Sequence, residues 1–210
     1  MDNKITIVIA TGNQHKLGEF KNIFKHYPNV DLKCIKDIVD HDIDIIENAN
    51  TFEGNSVIKA KALRPYTNEI IIADDSGLEI DALDNFPGVL SARFMYNSPY
   101  EDKWNAILEM LKEKENRNAQ FHCVITLLLK NKEEPIIFEG IERGYIVEEI
   151  HGLNGFGYDP IFMSSSLGKT FGDATEEEKN SISHRGRAAQ KLLEYLKDKK
   201  SGIIVISKSG

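Results

Sequence analysis

Three features of the 210-residue sequence predict an α/β fold. First, apolar runs of strand length alternate with segments of helical periodicity. Second, the run at 70–73 is apolar on successive residues, as a strand covered on both faces is, and Ile5, Ile7, Val8 and Ile9 mark 5–9 as buried too. Third, each of these runs ends abruptly in a short polar, glycine-containing stretch. Open α/β sheets keep their ligand sites at the carboxyl ends of strands.

The second of these stretches organises the rest. Ile70 to Ala73 is followed by Asp74-Asp75-Ser76-Gly77. Two adjacent carboxylates, a hydroxyl and a glycine make a poor core and a good place for chemistry. On extended backbone, neighbouring side chains point to opposite sides, so Asp74 and Asp75 are expected to do different jobs. By itself the tetrapeptide also fits a polar turn. The strand is expected to stop there, with Leu78 to Leu83 returning as the second strand of a hairpin.

The bulk numbers bound the problem. A chain of this length buries a sizeable core as one domain or two small lobes. At 41% hydrophobic and 28% charged residues, its composition is that of a soluble globular protein. Apolar runs fall short of the roughly 18 residues that span a bilayer. The start, Met1 to Lys4, leads directly into a strand-like segment, so no secretory signal is expected. Cys34 and Cys123 lack CxxC spacing, which points to reduced thiols and a cytoplasmic location. A net charge of -7 argues against a large nucleic-acid footprint. An acidic protein that holds a phosphate compound needs local Lys, Arg or Mg²⁺.

In chain order, Lys4 to Ala10 reads as the first strand and Leu17, Phe20, Ile23 and Phe24 as one face of a helix. Between them, Thr11-Gly12-Asn13-Gln14-His15-Lys16 offers backbone N–H groups and a lysine where a phosphate could dock. The P-loop spacing is absent, and Asn13 as a helix cap explains the stretch equally well. Val30 to Ile38 reads as a strand, 40–47 as an acidic loop, and Thr51 to Leu63 as a helix ending before Pro65. Asn55 and Lys59 share a face of that helix. Ser98-Pro99-Tyr100-Glu101 reads as a capping box opening a helix to about Lys114. Strands are expected over 121–129, 135–139 and 140–150. Gly152-Leu153-Asn154-Gly155-Phe156-Gly157-Tyr158-Asp159-Pro160 does not fit GxGxxG. Its glycines and aromatics suit either a loop approaching a flat ligand or a tight turn anchored in the core. Thr175 to Glu178 is a second capping box. His184 and Arg185 open the last helix, against its dipole, and such a violation often marks a site. The apolar 203–206 segment could add an edge strand.

Six motifs in order, Thr11–Lys16, Thr51–Ala60, Ala73–Leu78, Pro87–Arg93, Gly155–Pro160 and Glu178–Arg185, resemble the inosine triphosphate pyrophosphatase family over about 5–196. The first motif is also similar to Maf-type pyrophosphatases, but the later ones are not. The resemblance implies a long twisted mixed sheet with flanking helices, folded as a single 1–210 domain of two lobes around a central nucleotide cleft, with 201–210 a tail beyond the usual family end. It implies a cytoplasmic homodimer that uses Mg²⁺, with Mn²⁺ a possible substitute. The reaction would cleave ITP, dITP or XTP between the α and β phosphates, releasing a nucleoside monophosphate and pyrophosphate.

Carried over residue by residue, the resemblance makes Asp75 the proton acceptor and, with Glu47, a metal ligand, with Asp74 beside it. Lys59, Lys16 and Lys179 become phosphate ligands, and Thr11, Gly12, Asn13, Asn55 and Ser76 complete the triphosphate site. Phe156 would stack on the base, contacted also by Gly157, Tyr158, Asp159, His184 and Arg185. Donors facing the 6-keto oxygen of inosine would be left unpaired and buried by ATP. Three other readings differ by testable features. A Maf-like enzyme would act on pyrimidine or methylated nucleotides. A non-catalytic binding module would lack a carboxylate or lysine, and none is missing. An aspartyl-phosphate phosphatase would need an acid where Thr11 stands.

Overall fold

The computed structural model describes residues 4–198, and the apolar 203–206 segment lies outside them. The chain divides into two units. Unit 1 contains 4–75, 124–139 and 188–198 of the described residues, and unit 2 contains 76–123 and 140–187.

Unit 1 opens with strand β1 (Ile5–Ile9) and helix α1 (Gln14–Phe24). Asn13 is the cap: its Oδ1 accepts from the N–H groups of His15 and Lys16 at 2.9 and 3.3 Å. Strand β2 (Val30–Cys34) is shorter than expected, because the Asp37 carboxylate accepts from the Cys34 N–H at 2.7 Å and turns the chain into a 3₁₀ turn. Helix α2 (Phe52–Leu63) is capped by the Thr51 hydroxyl, which accepts from Gly54 N–H at 3.0 Å. Strand β1 lies between β2 and strand β3 (Ile70–Ile80), parallel to both. Val8, Ala10, Ile71 and Ala73 pack with Ala60 and Leu63 of α2, which fixes that helix over the β1–β3 pair.

The largest departure from expectation is β3. It runs through Asp74-Asp75-Ser76-Gly77 without a break, for 11 residues in all. A polar tetrapeptide ends a strand when its side chains need water; here each finds a protein partner, as described below. The hairpin exists, but its return strand is β4 (Phe86–Pro87), paired antiparallel with Glu79 and Ile80. Residues 81–83 form a 3₁₀ turn, and Asp84 and Asn85 take the left-handed conformation that these residue types tolerate.

In unit 2, helix α3 (Tyr100–Met110) starts one residue later than the capping box implies. Pro99 is its cap, so the cap carries no side-chain hydrogen bond, and Leu111 ends the helix before Lys114. Strand β5 spans Asn118–Leu128, and the two strands expected over 135–150 are one, β6 (Ile136–Ile146), with Gly140 inside it. The Arg117 guanidinium closes β6 early, donating to the Ile146 and Val147 carbonyls at 2.7 Å each. Two short antiparallel strands were not anticipated, β7 (Phe162–Ser164) and β8 (Lys169–Thr170). Helix α4 (Glu176–Ile182) has the full Thr175–Glu178 capping box. Helix α5 (His184–Lys197) follows, with the Ser183 hydroxyl accepting from Gly186 N–H at 3.0 Å. Among the described residues the sheet is eight-stranded and mixed, ordered β2-β1-β3-β5-β6-β7-β8 with β4 on β3. No helix of the described residues is long and apolar enough to cross a membrane.

Candidate active site

The unit 1 cluster is centred on β3. Asp74 and Asp75 leave the strand on opposite sides and meet different partners. The Lys16 ammonium, one turn into α1, lies 3.0 Å from Asp74 Oδ2. Asp75 faces α2, where the four-residue spacing of Asn55 and Lys59 brings both to it. Lys59 Nζ is 3.0 Å from Asp75 Oδ1, and Asn55 Nδ2 donates to Asp75 Oδ2 at 3.2 Å. Asn55 Oδ1 in turn accepts from Ala49 N–H at 3.0 Å, tying the end of the acidic loop to the same place. That loop supplies Glu47, whose Oε2 lies 3.0 Å from Lys59 Nζ. Lys61, on another face of α2, is exposed.

Charge explains the behaviour of the cluster. Three carboxylates (Glu47, Asp74, Asp75) meet two ammonium groups (Lys16, Lys59), an excess of one negative charge. Asp75 is only 8% exposed, and burial raises its pKa above the ordinary carboxylate value against the downward pull of Lys59 and Lys16. Burial pulls Lys59 down, but Asp75, Asp74 and Glu47 outweigh it and leave its pKa raised. Burial thus dominates at Asp75 and the surrounding carboxylates at Lys59, and the net negative charge of the cluster is one that a divalent cation would relieve. Among the described residues no three His, Cys, Asp or Glu side chains are arranged to cage a metal ion. Mg²⁺ does not need such a cage: it commonly binds one or two carboxylates and takes its other ligands from water and substrate phosphates. Glu47 and Asp75, hard oxygen donors flanking one ammonium, fit that pattern.

Unit 2 holds the second group. Gly155 and Gly157 have φ of +73° and +65°, and a Cβ on Gly155 would collide with Asp159 Oδ2. Glycine at 155 therefore lets the Asp159 carboxylate fold back and accept from Phe156 N–H at 2.8 Å. Lys179 Nζ lies 2.7 Å from the same carboxylate oxygen and 4.6 Å above the Phe156 ring. Lys179 was expected among the phosphate ligands; the structure gives it a carboxylate and an aromatic ring as neighbours. Arg185, 1% exposed, donates from Nη2 to Ser76 Oγ at 2.8 Å. The His184 ring is stacked on Phe121, with centroids 4.7 Å apart and planes at 13°.

Gly157 is followed by Tyr158 at φ -93° and ψ 11°. A left-handed residue followed by a right-handed one turns successive N–H groups toward a common side, a nest for an oxygen atom. The Tyr158 hydroxyl donates to the Ser91 carbonyl at 2.8 Å, and burial drives its pKa well above the ordinary phenol range. Thr11 Oγ1 accepts from Asn13 N–H at 3.1 Å, and nothing lies within 4 Å of a Cβ built on Gly12, so this turn keeps open space beside its backbone. The sequence did not single out Ser91, or Trp104, whose indole N–H donates to the Gly157 carbonyl. The only signal at Trp104 was its type, since a half-buried indole N–H on a helix needs an acceptor.

Buried acids with paired lysines, beside an open strand–helix turn, form a site suited to polarising and hydrolysing a phosphate compound. The family model described as the Ham1 family matches residues 7–195, and the chain belongs to that family. It is 45% identical over 191 residues to the dITP/XTP pyrophosphatase of Staphylococcus epidermidis, covering 90% of this chain and 95% of the relative. The dITP/XTP pyrophosphatase of a Thermoanaerobacter species is 44% identical over 193 residues, covering 90% and 96%. Among solved structures, a HAM1 protein from Coxiella burnetii has a TM-score of 0.83 at 37% identity, covering 91% of this chain and 98% of that one. The Staphylococcus aureus Ham1 protein has a TM-score of 0.82 at 40% identity, covering 91% and 97%.

Proposed function

We propose that this protein hydrolyses non-standard purine nucleoside triphosphates, ITP, dITP and XTP, to the monophosphate and pyrophosphate. The observation that carries the reading is the Glu47–Lys59–Asp75 ladder, buried at Lys59 and Asp75, beside the Lys16–Asp74 pair, in a chain of the Ham1 family. A triphosphate brings more negative charge to a cluster already in excess of it, so a divalent cation has to accompany the substrate. Glu47 and Asp75 would hold Mg²⁺, or Mn²⁺ in its place. The bound ion would lower the pKa of a water and polarise the phosphoryl oxygens. Asp75 would accept the proton of the attacking water, and Lys16 and Lys59 would exchange carboxylate partners for phosphate oxygens. The Thr11–Asn13 turn would add backbone donors. Phe156 would supply a ring face for the base, with Lys179 and Asp159 at its edge. A cytoplasmic homodimer is part of the same reading and rests on the family resemblance.

Selectivity follows from donor and acceptor matching. Hypoxanthine and xanthine present a 6-keto acceptor where adenine presents an amino donor. The Gly157 and Tyr158 N–H groups and the Arg185 guanidinium are donors only. With ATP, a donor aimed at the 6-position would meet an amino group instead of an acceptor, at about 1–3 kcal/mol for each hydrogen bond lost. The test is a panel of ITP, XTP, ATP, UTP and CTP with wild type and Arg185→Ala. Wild type is expected to favour ITP and XTP, and Arg185→Ala to reduce the ITP over ATP ratio at least tenfold, about the value of one charge-assisted hydrogen bond. An unchanged ratio would remove Arg185 from recognition, and a preference for UTP or CTP would overturn the purine reading.

A further inference from the structure

Helix α3 carries a residue to which nothing above assigns a role. The Trp104 indole N–H donates to the Gly157 carbonyl oxygen at 2.7 Å. This is a short bond between a half-buried side chain and the middle of the glycine-rich loop. A peptide unit is planar, and in the trans form its C=O and N–H point in opposite directions. Among the described residues only Phe86–Pro87 is cis. Fixing the Gly157 carbonyl on α3 therefore aims the N–H of Tyr158 away from α3.

Among the described residues no carbonyl or side chain accepts from that N–H. Tyr158 itself is only 3% exposed, so the orientation of this donor is set inside the protein rather than by water. Two further contacts hold the same residue in place. Its hydroxyl bonds the Ser91 carbonyl, and its ring meets Tyr100 edge-on at 5.6 Å and 87°. Tyr100 and Trp104 sit one helical turn apart, so α3 braces the Gly157–Tyr158 peptide from one side. The left-handed φ of Gly157 adds the need for such a brace, because a glycine there is free to rotate the peptide away.

We infer that Trp104 is a specificity-positioning residue: its N–H locks the Gly157–Tyr158 peptide so that the Tyr158 N–H is presented to the 6-keto oxygen of the purine. The inference rests on the reading of this loop as the purine subsite. Trp104 does not touch the substrate; it sets the direction of the donor that does.

Trp104→Phe removes the donor and keeps an aromatic ring. Its kcat/KM is compared with wild type on two substrates, ITP and purine ribonucleoside triphosphate, which has hydrogen in place of the 6-oxygen. Both are read on the same preparation, so loss of folded protein cancels in the ratio. Wild type is expected to favour ITP, and Trp104→Phe to reduce that preference about tenfold, the worth of one hydrogen bond to a buried acceptor. Trp104→Met, which also lacks the donor, is expected to do the same. If both substrates lose activity in equal proportion in the two variants, Trp104 is only structural and the inference is overturned. If wild type shows no preference for the 6-keto substrate, the purine-subsite reading fails and the inference falls with it.

Discussion

Asp75→Asn is expected to lower kcat for ITP by about 10³-fold, within the 10²–10⁴ range typical of removing a general base. The carboxylate sits where β3 and α2 meet, 8% exposed, with Lys59 and Asn55 on separate oxygens. An amide of the same shape can still receive a hydrogen bond, but it cannot accept the proton of an attacking water and is a poorer ligand for a hard cation. Lys59 would keep Glu47 as its counterion at 3.0 Å. The variant is therefore expected to melt within a few degrees of wild type, which separates lost chemistry from lost fold. Activity within tenfold of wild type would remove Asp75 from the chemical step.

Lys59→Met is expected to damage both stability and turnover. Lys59 bridges Glu47 and Asp75, and its removal leaves three carboxylates facing one ammonium. Removing one partner of a buried ion pair costs about 3–5 kcal/mol, because the other charge stays buried without compensation. In EDTA the variant should show that loss in a denaturant melt. Millimolar Mg²⁺ should restore part of it, since a cation that binds only the folded cluster stabilises the fold by mass action. Turnover with Mg²⁺ present should remain about 10²-fold low, as a cation has been taken from the phosphate site. A melt that ignores Mg²⁺ would contradict the proposal that Glu47 and Asp75 hold the ion.

Much of this arrangement was legible from local rules. The i, i+4 spacing of Asn55 and Lys59 put both on one face of α2, and the structure brings both to Asp75. The split between Asp74 and Asp75 followed from strand alternation and appears as two separate lysine partners. Asn13 and Thr175 were legible as caps because capping depends on residues within one turn. What local rules could not supply was tertiary pairing. Asp74-Asp75-Ser76 reads as a strand break only if its side chains need water. Lys16, Lys59 and Arg185, from three separate helices, remove that need and β3 continues. Gly140 reads as a boundary for the same reason, yet β6 passes through it and ends where Arg117 takes its carbonyls. Strands β7 and β8, at three and two residues, are too short for periodicity to detect. The Trp104 indole needs an acceptor, and that acceptor lies 53 positions away in sequence.

The most direct test of the central claim is product analysis of ITP hydrolysis with Mg²⁺ in solvent enriched in ¹⁸O. The account predicts IMP and pyrophosphate in equal amounts, with the label on the monophosphate, because the water attacks the α phosphorus. Orthophosphate and IDP as the first products would place the cleavage at the β–γ bond and contradict it.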